Sequence, residues 1–295
     1  MPFLSRHIQN QNVPGYLVRS VYPDVDGQPI YSLGTVTTDH TTSFSERFGG
    51  WYVTGDHGEM RHRGNAIAKA DINQPIEFEH GANQLELPRN VNTSDYPGGG
   101  SDIVALMILE HQTQAHNLIT AANYEVRRAL NYQSVMNEAL DRPNEYRSDS
   151  TLRRIDKAAS RLADYMLFRD AEQFESPVKG TSNFQTEFEQ ATKLDDKGRS
   201  IRQLDLQNRL FRYPCSFLIC SKSFDELPDQ VRTLTLKKIN NMLCQLQNDE
   251  CDADLREHFS VFTPEIAQAT HELLIGLKPE YAELASPIQS VNPIN

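Results

Sequence analysis

The stretch Ser101-Asp102-Ile103-Val104-Ala105-Leu106-Met107-Ile108-Leu109-Glu110-His111-Gln112 decides the fold, because it begins the longest run without glycine or proline, which extends to about Met136. Ser101 is a good N-cap residue, and Asp102 suits the positive end of a helix dipole. Residues of one face recur at helical spacing, namely Val104, Met107, Ile108, His111, Ala115, Leu118, Ala122 and Val126. We therefore predict that this run forms the longest helix and lies at the centre of the core.

Four later segments predict further helices, which span residues 151–169, 201–222, 228–246 and 263–275. Pro214 interrupts the second of them, whereas Pro228 and Pro264 stand at helix starts, where proline is tolerated. The polar segment 176–198 predicts mixed loop and short helix.

The N-terminal part of the chain predicts a few short strands. Residues 15–22 and 30–38 are rich in β-branched and aromatic side chains, and residues 51–54 are a third candidate strand. Asp26-Gly27 lies between the first two and predicts a tight turn with positive φ at the glycine. The fold class that we predict is mainly α, with a small N-terminal antiparallel β-sheet (α+β).

A change of composition divides the chain near residue 100. Residues 66–100 show no sustained period and end in Pro97-Gly98-Gly99-Gly100, a strong break in secondary structure. We therefore predict a loop-rich, β-containing region at 1–100, which carries a histidine loop, and a helical domain at 101–295. We expect the two regions to pack as one unit.

Charge and hydropathy exclude several classes of protein. The 295 residues carry a formal net charge of −11, which argues against a nucleic-acid-binding surface. No apolar run approaches the length that spans a bilayer. Residues 1–7 lack the basic and apolar regions of a signal peptide, so the chain as written is expected to be cytoplasmic or truncated.

The cysteines carry little signal. They are Cys215, Cys220, Cys244 and Cys251, and no two of them form Cys-x-x-Cys. This spacing argues against a zinc ribbon and against a thioredoxin motif. Cytosolic free thiols are the simplest interpretation, and a disulfide is expected only if the chain is exported.

Histidines are the residues that point most directly to chemistry. His57 and His62 lie in the glycine-rich run 48–65, which also holds the single Trp, and His111 and His116 lie on the predicted long helix. Neutral imidazole is a common ligand of transition metals and of haem iron, so loop and helix histidines brought together would form a site. Yet His111 and His116 are separated by about 140° around a helix. His111 also lies on the apolar face, which favours a buried structural histidine, and His116 lies on a polar face.

Other catalytic motifs are weaker or missing. Glu110 beside His111 resembles part of the zinc-protease signature, but Leu109 and Thr113 occupy the positions of its two histidines. No phosphate-binding glycine loop and no Gly-x-Ser-x-Gly motif is present, and Ser216 has no flanking signature. A metal-dependent hydrolase that uses Glu110 and the histidines is therefore a distant third hypothesis.

Several longer motifs carry a family resemblance. The longer motifs span residues 13–23, 49–55, 101–107 and 210–216. Shorter motifs follow two of them: His57-Gly58 and Arg61-His62 come after the second, and Glu110-His111-Gln112 and His116-Asn117 come after the third. In these motifs the chain resembles a family of uncharacterised bacterial single-haem c-type cytochrome-like proteins, which are usually exported to the periplasm. The resemblance implies haem, electron transfer and a redox partner of unknown identity.

The resemblance also implies candidate haem ligands, which are His57, His62, His111 and His116, with Met60 as a further axial candidate. The same four histidines are the candidate ligands of a metal ion. The family's Cys-x-x-Cys-His attachment motif is missing, since Leu4-Ser5-Arg6-His7 stands in its vicinity and no cysteine precedes Cys215. We therefore predict a cytochrome-like redox protein that is truncated or haem-less as written. The alternative is a non-catalytic helical scaffold or interaction module with structural histidines, and no enzymatic activity is assigned.

Overall fold

The computed structural model describes residues 8–10, 13–68, 76–89, 91–94, 99–248 and 251–285. Helices dominate these residues. Their bounds are α1 Ile103–Ala139, α2 Asp149–Met166, α3 Phe184–Gln190, α4 Lys222–Asp225, α5 Asp229–Leu246, α6 Ala253–His258, α7 Pro264–Leu277 and α8 Pro279–Ala285.

The strands are short and pair two by two. They are β1 Ile8–Asn10, β2 Val13–Gly15, β3 Arg19–Val21, β4 Thr35–Thr37, β5 Gly55–Asp56 and β6 Lys179–Gly180. Within the described residues, β1 pairs with β2, β3 with β4 and β5 with β6, each pair antiparallel. The predicted class, mainly α with a small antiparallel β-sheet, is thereby confirmed.

Helix α1 follows the predicted pattern closely. Every residue of the predicted apolar face is buried, from Val104 to Val126. The N-cap, however, is Asp102 and not Ser101, because the Asp102 carboxylate accepts hydrogen bonds from the backbone amides of Val104 and Ala105 at 2.8 and 3.2 Å. Its second oxygen accepts from the Thr181 amide at 2.8 Å, so the same side chain also holds the segment after β6 against the start of α1.

The other long helices pack outward from α1. Helix α2 runs antiparallel to α1. Glu125, later on α1, bonds Arg154 near the start of α2, whereas the carbonyl of His111, earlier on α1, accepts from the Tyr165 hydroxyl near the end of α2. Helix α5 packs on the far side of α2, and α7 and α8 pack on α5. The apolar faces of these helices enclose one continuous core, which excludes water and supplies most of the folding free energy.

The N-terminal region is attached to α1 by backbone and side-chain hydrogen bonds. The Asn117 side chain bonds both the amide and the carbonyl of Tyr16, at 3.2 and 2.7 Å. The Thr54 amide donates to the Ser101 carbonyl at 2.7 Å. These contacts place the histidine loop beside the first turns of α1, and the predicted division at residue 100 stays a prediction.

Some local predictions were wrong. Residues 201–222 were predicted to be helical with an interruption at Pro214, but the described backbone there forms turns and a short 3-10 helix at Phe217–Cys220 before α4 begins. Residues 51–54 form no strand of their own, and β5 begins at Gly55. The predicted turn is present, with Gly27 at φ 81°.

Two negative findings concern the described residues alone. None of their helices combines the length and the apolar character that a bilayer crossing needs. All four cysteines are unpaired, with Cys215 buried and Cys220 exposed.

Candidate functional site

His57 is fully buried and held on both sides of its ring. Its Nδ1 lies 2.8 Å from the Met60 carbonyl oxygen, and its Nε2 accepts a hydrogen bond from the Asn83 amide at 3.0 Å. A carbonyl can only accept and a backbone amide can only donate, so the proton is on Nδ1. Burial lowers the pKa of His57, which favours the neutral form of the ring.

His62 lies beside His57 in the same buried cluster. The two ring centroids are 4.6 Å apart, and Phe44 and Phe48 pack on His62 at 5.8 and 5.4 Å. Its Nδ1 accepts the Gly64 amide at 3.0 Å. Burial, and secondarily the neighbouring His57, lower the pKa of His62 to about 3, so its imidazole is neutral at ordinary pH.

Met60, the predicted axial candidate, contributes mainly through its backbone. Its side chain is buried in the core, and its carbonyl oxygen accepts from His57 Nδ1 and from the Arg61 guanidinium at 2.8 Å each. Residues 57–60 therefore form a locked turn.

His111 meets a histidine that the sequence analysis missed. His40 Nδ1 lies 2.8 Å from His111 Nδ1, and His111 Nε2 lies 2.8 Å from the Ser216 hydroxyl. The His111 ring stacks on Phe168 with 4.6 Å between centroids and a 15° interplanar angle. Burial lowers the pKa of both histidines, that of His40 to about 3. Both rings are therefore neutral, and one Nδ1 donates to the other.

The chain Ser216–His111–His40 has the order of groups found in nucleophilic triads. Its surroundings favour a structural role instead. Ser216 and His111 are 0% exposed, and the Ser216 oxygen also accepts from the Leu218 amide at 3.4 Å as the cap of a 3-10 helix. A nucleophile needs a side open to substrate, and these atoms are enclosed by core side chains.

Glu110 and Arg47 form a buried ion pair next to the two helix-side histidines. Arg47 Nη1 lies 3.3 Å from Glu110 Oε2, and both side chains are at most 2% exposed. Arg47 also donates to the carbonyls of Thr42 and His40, at 2.8 and 3.2 Å. Burial raises the pKa of Glu110 to about 7, against the opposing effect of Arg47. The pair therefore joins the segment 40–47 to α1.

The four predicted histidines do not converge on one point. His57 and His62 lie together, His111 pairs with His40, and His116 makes no ring contact with any of them among the described residues. His116 is half-buried, which lowers its pKa. The described residues contain no group of three side chains spaced to hold a metal ion. The ligand roles of these histidines stay predictions.

Haem is the group that the resemblance implies, and the side chains of His57 and His111 do not fit it in this arrangement. An axial histidine presents an unprotonated nitrogen to iron and leaves that side open for the macrocycle. The unprotonated nitrogen of His57 faces the Asn83 amide, and both nitrogens of His111 are engaged. Phe168 stacks on the His111 ring, and Phe48 contacts the His62 ring edge to face.

Three side chains of this centre escaped the sequence analysis. His40 and Arg47 stand in a segment without a recognisable motif, and Ser216 was set aside for lack of one. They reach α1 across long sequence separations, of 71 residues for His40 and 105 for Ser216. A single sequence carries no signal for such pairings.

Comparison with known families, with curated proteins and with solved structures finds no match to this chain: no family model, no curated protein and no solved structure.

Proposed function

We propose that this chain is a non-catalytic helical interaction module whose buried histidines are structural. The engagement of the imidazoles is the observation that carries the proposal. His57 and His111 each use both ring nitrogens in hydrogen bonds to protein atoms. Such a ring would have to lose a buried hydrogen bond before it could ligate a metal, at a cost of about 1–3 kcal/mol.

The electrostatic surroundings support the same proposal. The pKa values of His40 and His62 are lowered to about 3 by burial, so neither group exchanges protons near neutral pH. General acid–base catalysis needs groups whose pKa lies near the working pH. Glu110 does have a pKa raised to about 7, but it is enclosed and paired with Arg47.

The cytochrome-like function remains a prediction from the family resemblance, as do haem, a redox partner and export. The metal-dependent hydrolase remains a prediction as well. Their proposed ligands are the same histidines, so a single set of variants separates them from the structural role.

The test replaces His57 and His62 with alanine, one at a time, and uses His80→Ala as the matched control because the His80 side chain is 87% exposed. Urea titrations of the purified full chain are expected to show unfolding free energies lower by about 1–3 kcal/mol for the two buried sites. The control is expected to match the parent protein.

The same proteins are then incubated with haemin or with Zn²⁺, desalted, and measured by absorbance and by metal analysis. We expect the parent and the variants to retain equal, substoichiometric amounts. Stoichiometric haem or zinc that is retained by the parent and lost in a folded His57→Ala variant would overturn the proposal.

A further inference from the structure

A groove lies on the face of the hairpin formed by α1 and α2, and none of the residues that line it is a histidine. It encloses about 360 Å³ between α1 and α2, and Val13 of β2 closes part of it. The rest of the lining comes from α1 between Leu118 and Arg128 and from α2 between Arg154 and Leu162.

The floor of this groove is apolar and is shaped by small residues. Leu118, Ala122 and Leu162 are buried there, and Ala121 and Ala158 lie half-buried beside them. Where two packed helices carry alanine at facing positions, no long side chain fills the space between their outer faces. The groove therefore offers depth and apolar contact to a side chain from outside.

The rim of the groove is cationic on a protein whose net charge is −11. Glu125 neutralises Arg154, at 2.7 Å. The side chains of Arg128, Lys157 and Arg161 are exposed and form no hydrogen bond or ion pair with any residue that the structure describes. Glu125 also attracts Arg128 and Lys157 electrostatically, and it is the one carboxylate in the lining. With four cationic side chains against this single carboxylate, the lining carries a net charge of +3.

The spacing of these charges matches a helix. Arg154, Lys157 and Arg161 follow one another on α2 at intervals of three and four residues, which places about one cation per helical turn. A second helix that lies along the groove presents one carboxylate per turn at the same pitch. A small monoanion would meet only one of the charges.

The aromatic side chains on the same face are typical of protein interfaces. Tyr124 is 50% exposed at the edge of the groove, and Tyr132, one turn beyond Arg128, is 61% exposed. Tyrosine and arginine are enriched in the energetically important parts of interfaces.

We propose that the groove between α1 and α2 binds an acidic amphipathic helix of a partner protein. Its apolar side chains enter the floor formed by Leu118, Ala122 and Leu162, and its carboxylates pair with Arg128, Lys157 and Arg161. This inference rests on the proposed function as an interaction module and names the surface and the class of partner.

The test uses a fluorescein-labelled synthetic helix of about 15 residues, long enough to hold helical structure. It consists of Leu on one face, with Glu flanking that face and Ala elsewhere. A scrambled peptide of the same composition and a peptide with Lys in place of Glu are the comparison probes. Binding to the purified full chain is followed by fluorescence anisotropy at low and at physiological salt.

Two groove variants separate charge from shape. Lys157→Glu combined with Arg161→Glu reverses the rim, and Ala158→Leu fills the floor without changing charge. Lys193→Glu combined with Lys237→Glu makes the same change of net charge at exposed sites outside the groove. Each groove variant is expected to weaken binding by about tenfold or more, and the control by less than about twofold. Urea titration confirms that all variants are folded.

Absence of binding by the parent chain, equal binding of the scrambled peptide, or unchanged binding by the charge-reversed rim would overturn the inference. Equal binding of the Lys peptide would do so as well. If charge reversal weakened peptide binding but Ala158→Leu did not, the binding would be a non-specific attraction between charges. That result would also overturn the proposal that the helix occupies the groove. The histidine variants and the haem and zinc measurements are independent of these results, so failure of either proposal is recognised separately.

Discussion

His62→Asn tests the physical state of the histidine cluster directly. The asparagine oxygen can accept the Gly64 amide that His62 Nδ1 accepts at 3.0 Å, so the turn is kept while the titrating ring is removed. The variant is expected to be less stable than the parent near neutral pH, because the ring contacts with His57 and Phe48 are lost. The informative quantity is how stability changes with pH.

The magnitude follows from the pKa of His62. Burial, and secondarily His57, lower it from the ordinary value of 6.5 to about 3. The unfolded chain therefore takes up a proton at a higher pH than the folded chain does. The neutral His62 ring therefore makes its full contribution to the free energy of unfolding above pH 6.5, and this contribution is lost as the pH falls from 6.5 toward 3. Each pH unit in that range is worth about 1.4 kcal/mol, so acidification to about pH 4.5 costs the parent about 3 kcal/mol through this residue.

The assay is urea unfolding of both proteins at about pH 7.5 and about pH 4.5, with linear extrapolation of the unfolding free energy. The parent is expected to lose about 3 kcal/mol more than His62→Asn between the two conditions. His80→Asn, at an exposed position, is expected to follow the parent at both pH values. Equal pH dependence of the parent and His62→Asn would show that the His62 ring is solvated or protonated, and would refute the reasoning.

Two further changes probe the hydrogen bonds that join distant segments. Asp102→Ala removes the N-cap of α1 and the acceptor of the Thr181 amide, so urea unfolding should show a free energy of unfolding lower by about 2–4 kcal/mol. The control, Asp149→Ala in the first turn of α2, should lower the free energy of unfolding by about 0.5 kcal/mol or less. Equal losses at the two positions would contradict the assigned cap. Ser216→Ala leaves His111 Nε2 without its hydrogen-bond partner, so the free energy of unfolding in the same assay should fall by about 1–3 kcal/mol. A Ser216→Ala variant as stable as the parent would contradict the buried contact.

Local patterns in the chain were sufficient for the main helices. The run that begins at Ser101 contains no residue that breaks a helix, and its apolar positions repeat at the helical period, so α1 could be predicted nearly to its ends. The helix that follows Pro228 could be predicted for the same reason. The helical prediction for residues 201–222 failed because apolar residues at helical spacing also occur in buried turns. In such turns the side chains pack on the core although the backbone is not helical.

The candidate site depended on contacts that no local pattern records. Of the histidines predicted as ligand candidates, His57, His62 and His111 are buried in the structure. The hypothesis of a common ligand required them to lie together, whereas the fold pairs His57 with His62 and His111 with His40. Whether any of them binds haem or a metal stays a prediction.

By itself the sequence determined the helical class, the position of the central helix and the presence of a histidine-bearing loop, because helix formation depends on residues a few positions apart. Only the tertiary structure decided which polar group each imidazole meets, since His40, Ser216 and Asn83 reach their partners across 71, 105 and 26 residues of chain. It also decided the groove between α1 and α2, because a cationic rim with an apolar floor exists only after two separate helices pack side by side.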